Sequence, residues 1–212
     1  MPYRAGNRKA RLRSASTTNG EEMPVKRIAS IAAAAVVAVV GVVSFAAPAH
    51  ADFTNTLRNV QYNQCMDLAY GNPANGTPIG RTPYCGDGAA NRLWHFEDIG
   101  FKQLCSYEDW LGNCVSYVTV YTYRIHSVAT GKCVDINDGG TSSGETIHEW
   151  DCLGVASQLW YLINGATPGS RLIASAHVYN ETQVERVIDS GPTYPLRIWT
   201  RNNTAAQQWV FQ

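Results

Sequence analysis

Residues 131–140 read GKCVDINDGG, 147–152 read IHEWDC and 157–162 read SQLWYL. The same pattern returns on both sides. Upstream stand NQCMDLAYGN (63–72), RTPYC (81–85) and NRLWHF (91–96); downstream stand ERVIDSGPTY (185–194), LRIWTR (196–201) and AQQWVF (206–211). Each copy has a hydrophobe-Asp step: Met66-Asp67, Val134-Asp135 and Ile188-Asp189. Each closes on a tryptophan: Trp94, Trp160 and Trp209. The closing tryptophans are 66 and 49 residues apart. The surplus falls at 101–122, which marks an insertion between copies one and two.

Within a copy the apolar runs are short. GNPANGTP, NDGGTSSG and SGPTYP are turn or loop stretches. LRIWT, TIHEW and YVTVYTYRIHSV read as strands by their β-branched and aromatic content. No long stretch after residue 51 carries a clean helical stripe. The reading is therefore all-β and threefold. One copy cannot bury its own apolar face, so three must pack together.

The six cysteines lie at 65, 85, 105, 114, 133 and 152, with no C-x-x-C spacing. Zinc and thioredoxin-like readings are weak on that ground. An even count suits disulfides in an exported chain, and six cysteines allow 15 pairings. Spacing favours neighbours. Cys65-Cys85 and Cys133-Cys152 would close two similar loops, and Cys105-Cys114 a short one inside the insertion.

Three copies of a Cys-x-Asp start, a mid-copy aromatic-x-Cys and a closing Gln-x-Trp resemble the ricin-type β-trefoil lectins. Gln158-Leu159-Trp160 and Gln207-Gln208-Trp209 fit the closing motif, while Arg92-Leu93-Trp94 changes its first residue. The resemblance covers roughly 57–212, apart from 101–122. It implies a β-trefoil, a six-stranded barrel capped by three hairpins. It also implies up to three sugar sites. In each, an Asp accepts bonds from sugar hydroxyls, an aromatic stacks on the apolar sugar face, and nearby polar groups add bonds. A carboxylate makes charge-assisted bonds, and a flat ring offers contact area at little entropic cost.

Copy two fits best, with Asp135, His148, Trp150, Ser157 and Gln158. His148 and Ser157 stand where the family usually has Gln and Asn. Copy three keeps Asp189 and Trp199, with Arg197 for the Gln and Ala206 for the Asn; it lacks both cysteines. Copy one keeps Asp67 and Asn91, but Thr82 or Pro83 falls where the stacking aromatic belongs, with Tyr84 beside it. The expected order is two, three, one. The implied partners are galactoside-type ligands or xylan-like polysaccharides, with no cofactor and no metal.

Each of these residues has a plainer job available. The aspartates could cap turns through their side chains. Trp94, Trp160 and Trp209 end strands and read as core. Trp110, in the insertion, either makes an extra contact or packs the stapled loop.

The first fifty residues differ from the rest. Lys26 and Arg27 precede an uncharged apolar run, IASIAAAAVVAVVGVVSFAA (28–47), followed by Pro48-Ala49-His50-Ala51 and Asp52. A basic start, an apolar core and A-x-A is the pattern of a secretory signal peptide, favoured here over a membrane anchor of similar length. Residues 1–51 are read as extension plus signal, and 52–212 as an exported domain. Met23 opens MPVKR, an ordinary signal start, so translation from Met23 and a long basic extension from Met1 both stand.

The whole chain has a formal net charge of zero. Residues 52–212 carry 10 basic and 15 acidic residues, a formal charge of −5. A mildly acidic domain is a poor candidate for nucleic acid. No Gly-x-Ser-x-Gly, His-Glu-x-x-His or phosphate-loop motif occurs, so catalysis is not expected. Asp135-x-Asn137-Asp138-Gly139 misses the calcium-loop spacing. The alternative to a secreted lectin is a protein-binding trefoil, such as a protease inhibitor or a surface interaction protein, using the 101–122 loop.

Overall fold

Strands begin almost at the first described residue. The computed structural model describes residues 51–192 and 194–212. The expected signal segment and both candidate starts lie outside the described residues.

The chain opens with β1 (Phe53–Asn55), β2 (Leu57–Asn59), β3 (Cys65–Leu68) and β4 (Thr77–Thr82). A long hairpin follows, β5 (Trp94–Glu108) and β6 (Cys114–Ser127). Then come β7 (Cys133–Ile136), β8 (Ile147–Trp150), β9 (Trp160–Asn164) and β10 (Ser170–Ser175). After helix α1 (Ala176–Thr182) the chain ends with β11 (Arg186–Asp189), β12 (Arg197–Thr200) and β13 (Trp209–Phe211).

The pairings run in a circuit. β13 pairs with β2, β1 with β5, β5 with β6, β6 with β9, β9 with β10, and β10 with β13. Only Thr56 separates β1 from β2, so the circuit closes into a barrel. Closure leaves no free barrel edge for another chain to pair with.

Three further hairpins, β3–β4, β7–β8 and β11–β12, sit outside this circuit. They also join one another. β4 pairs with β8 through Thr77 and Glu149 and through Pro78 and His148. Thr146 bridges to Arg197. The Leu196 N–H donates to the Ile79 carbonyl at 2.8 Å. Ile79, Ile147 and Leu196, one from each hairpin, are buried where they meet.

Trp94, Trp160 and Trp209 are fully buried, as expected of core residues. Each indole N–H finds a backbone acceptor: Met66 at 3.2 Å, Val134 at 3.1 Å and Ile188 at 3.1 Å. A buried donor needs a partner. These three acceptors immediately precede Asp67, Asp135 and Asp189. The core thus holds the backbone that presents each aspartate.

α1 falls within the chain that sequence read without helix. Seven residues are too few to show a stripe against strand-rich flanks. Ser175 caps it, accepting from the Val178 N–H at 3.2 Å, and Ala176 and Val178 bury its inner side. Gln183 closes it in the left-handed region at φ 54°.

The β5–β6 hairpin projects as an arm, paired from Trp94–Ser127 out to Glu108–Cys114. Its tip turns on Asp109, whose Oδ1 accepts from the N–H groups of Leu111 and Asn113, both at 2.9 Å. Trp110 is 90% exposed there, so it does not pack the loop. Disulfides join Cys105 to Cys114 in the arm, Cys65 to Cys85 around β3–β4, and Cys133 to Cys152 around β7–β8. Among the described residues no helix is long and apolar enough to cross a membrane.

Candidate functional site

The second hairpin brings Asp135, His148, Trp150 and Gln158 together. Strand register sets Asp135 opposite His148 and Cys133 opposite Trp150. Side chains alternate along a strand, so His148 and Trp150 share one face while Glu149 turns inward. The His148 and Trp150 rings stack with centroids 5.4 Å apart and 27° between planes. Trp150 keeps 36% of its surface exposed. Burial pushes the His148 imidazole below its ordinary value, against the opposing pull of Asp135 and Asp138. At neutral pH it is an uncharged donor and acceptor.

Asp135, across from His148, is buried. Gln158 Nε2 donates to its Oδ2 at 2.9 Å and also to the Asp151 carbonyl at 2.8 Å. Gln158 Oε1 accepts from the Leu153 N–H at 3.1 Å. Gln158 is therefore committed on every side and fully buried. It meets the site through Asp135 and has no surface of its own to offer. Asp135 Oδ1 is also buried, with no donor among the described residues. Ser157 stands beside Gln158 on the same turn and is half-buried.

The third hairpin gathers Asp189, Arg197 and Trp199 in contact with one another. Asp189 lies opposite Arg197 in register. Its Oδ1 accepts from the Gly191 N–H at 2.7 Å and lies 3.6 Å from Arg197 Nε. The plain turn-capping role considered for these aspartates is thus present here. The Arg197 guanidinium also covers the Trp199 ring, 4.3 Å from its centroid. Gln207 is buried and spent on backbone, accepting from Asn202 and Asn203 and donating to Thr200.

At the first hairpin Asp67 Oδ1 accepts from Asn91 Nδ2 at 2.7 Å and from Arg92 Nε at 3.0 Å. Arg92, which replaces the motif glutamine, also pairs with Asp87. Burial pushes the Asp67 carboxyl above its ordinary value, with Arg92 pulling the other way. Thr82, not Pro83, occupies the position of Trp150, since both pair with the cysteine that starts the hairpin. A cavity of about 790 Å³ opens here, lined by Asp67, Tyr70, Tyr84, Asn91, Arg92 and Tyr194 among others. Sequence reasoning overlooked Tyr70 and Tyr194. A signal existed in Gly80, which stands opposite Asp67 where His148 and Arg197 stand in the other hairpins.

As for metal, the His126, Cys133 and Cys152 donor atoms lie within 4.8 Å of one another. Both sulfurs are bonded to each other, so the group has no thiolate to give a metal.

The arrangement sets aromatic and carboxylate side chains together on the hairpins of a closed all-β barrel. Residues 110–180 match a family described as ricin-type beta-trefoil lectin domain-like. That match runs from the tip of the arm through the second hairpin to α1. No curated protein matches the chain. Among solved structures, the designed 3-fold symmetric protein ThreeFoil superposes with a TM-score of 0.57 at 16% identity, covering 74% of this chain and 96% of its own. The Rhizoctonia solani agglutinin follows at TM-score 0.53 and 21% identity, covering 78% and 98%. The exo-beta-1,3-galactanase 1,3Gal43A from Clostridium thermocellum matches at TM-score 0.55 and 18% identity. There 74% of this chain covers 29% of the enzyme. At these identities the likeness is one of fold, and the fold resembles β-trefoil proteins.

Proposed function

We propose that this chain is an exported carbohydrate-binding module, built of three repeats centred on the three hairpins, with the β5–β6 arm as an insertion between the first and second. Its main site is the second hairpin. One observation carries this reading: Asp135 Oδ1 is buried and unpartnered on the same hairpin as an exposed Trp150. Leaving a buried acceptor unmade costs about 1–3 kcal/mol. A sugar hydroxyl supplies the missing donor while the sugar's apolar face lies on the indole. His148 adds a neutral polar group, and Ser157 lies close enough in sequence to add another. Gln158 orients Asp135.

The match of residues 110–180 to a lectin-like family supports the same reading. The three disulfides suit an oxidising compartment. The ligand class is a galactoside or a xylan-like polysaccharide. The function is binding, not catalysis. Shallow sites of about 1 mM correspond to about −4 kcal/mol, so useful strength comes from several sites on one polymer.

Retention of the purified protein on insoluble polysaccharides and immobilised galactosides tests this. Wild type is retained, and Trp150→Ala and Asp135→Asn are not, with near-ultraviolet circular dichroism unchanged. Wild type passing through every matrix refutes the reading.

A second reading rests on the arm. Trp110 and Leu111 at its tip are 90% and 63% exposed, which suits a protein partner. Capture of a partner that survives both Trp150→Ala and added free sugar would establish it.

A further inference from the structure

The β5–β6 arm leaves the closed barrel, and its two outer edges differ. On β5 the edge is covered. The Cys105 N–H donates to Asn180 Oδ1 of α1 at 3.0 Å, and Gln183 Nε2 donates to Glu108 Oε1 at 3.1 Å. On the other side β9 pairs with β6 only at Thr122 and Tyr123. Among the described residues no backbone bond joins 116–120 to any strand but β5. The outer side of this run therefore presents a row of unpaired N–H and C=O groups.

Nothing in the sequence blunts that edge. Exposed edges are usually guarded by charge or by proline. Residues 110–123, WLGNCVSYVTVYTY, hold neither. Ser116–Val120, SYVTV, is β-branched and aromatic without glycine, the composition of a strand that pairs readily. Tyr117 is more than half exposed, and Ser116, Val118 and Thr119 are exposed beside it.

The absence of charge selects the occupant. A strand that pairs antiparallel about a two-fold axis meets its own sequence, so any charge near the axis meets its like. Residues 52–212 carry 15 acidic and 10 basic residues. The uncharged run is where two copies approach with least repulsion. An axis at Val118 sets Tyr117 opposite the partner's Thr119, and Val120 opposite the partner's Ser116. There is room for the incoming strand. A cleft of about 470 Å³ opens between β6 and β9, lined by Thr119, Val120, Leu162, Ile163 and Asn164 among others.

We propose that the β6 edge at Ser116–Val120 is a homodimer interface, in which two arms pair antiparallel about Val118 into one continuous four-stranded sheet. The interface is independent of the carbohydrate reading. Its partner is a second copy of this chain.

The test is sedimentation of the purified protein over a wide concentration range. Wild type is expected to pass from monomer to dimer. Val118→Lys sets like charges against each other at the axis and raises the dissociation constant about tenfold or more. A charge swap then reads the register. Tyr117→Lys with Thr119→Lys stays monomeric. Tyr117→Lys with Thr119→Glu sets opposite charges face to face twice and dimerises at least as well as wild type. All three are surface positions, and near-ultraviolet circular dichroism checks each fold. If Val118→Lys does not fold, the two charge-swap variants decide. Wild type that stays monomeric throughout overturns the proposal, whether the arm then binds phosphatidylcholine vesicles or another protein. So does a dimer indifferent to Val118→Lys, or one that forms equally well with either charge-swap variant.

Discussion

The Arg197 guanidinium lies over the face of Trp199, 4.3 Å from the ring centroid. The third hairpin therefore offers its aromatic to its own cation, and Asp189 is engaged by the same arginine. A half-exposed cation–π contact of this kind is worth about 0.5–1 kcal/mol, which a sugar must displace before it can stack. Arg197→Ala is expected to raise the number of tetrasaccharides bound per chain by one. Unchanged stoichiometry in calorimetry refutes this self-occlusion.

Gly80 and Tyr194 form a steric pair. Gly80→Ala forces the ring off β4 and is expected to cost about 1–3 kcal/mol, as overpacking does. Tyr194→Ala removes the clash, so the double variant recovers most of that loss. A double-mutant cycle in urea measures the coupling. Additive losses would mean the two residues do not meet.

Trp160 is fully buried and its N–H holds the Val134 carbonyl. Trp160→Ala is expected to destabilise by about 3–5 kcal/mol. Because Val134 precedes Asp135, Trp160→Phe should also loosen binding while costing less stability. Denaturation midpoints and calorimetry on the same samples separate the two effects.

Glu149 is fully buried between two surface-facing site residues. Thr130 Oγ1 donates to its Oε2 at 2.6 Å, and Oε1 has no donor among the described residues. Burial pushes its carboxyl above the ordinary value. A raised folded-state value means the stabilising contribution is full below the unfolded value and fades as pH rises through the folded one. Glu149→Gln does not titrate. Its stability relative to wild type is expected to increase from pH 4 to pH 7, read from urea unfolding at both. A difference that shrinks over that interval refutes the assignment.

The disulfides close loops of different length. Cys65–Cys85 and Cys133–Cys152 span 20 and 19 positions, and Cys105–Cys114 spans 9. Chain entropy assigns each long loop about 3 kcal/mol and the short one somewhat less. The arm is also held by its own strand register. Replacing Cys105 and Cys114 with Ser is thus expected to cost least in thermal unfolding, and Cys133 with Cys152 more.

The sequence by itself determined the all-β class and the buried tryptophans. Short β-branched and aromatic runs between turn clusters read as strands, and a tryptophan closing a strand at Trp94, Trp160 or Trp209 has its large apolar area to hide. The family resemblance grouped Asp135 with His148 and Trp150, and local pairing across one short hairpin makes them neighbours. Helix α1 escaped it, since seven residues, about two turns, carry too short a period to detect. What Gln158 does was decided by burial: its amide ends on Asp135, Asp151 and Leu153 and never reaches solvent. The occlusion of Trp199 and the meeting of Gly80 with Tyr194 were decided by the tertiary structure alone. Gly80 and Tyr194 lie on different hairpins, brought together where Leu196 bonds to Ile79. A missing side chain at one position and a bulky one far along the chain become a single feature only when the barrel closes and sets the hairpins side by side.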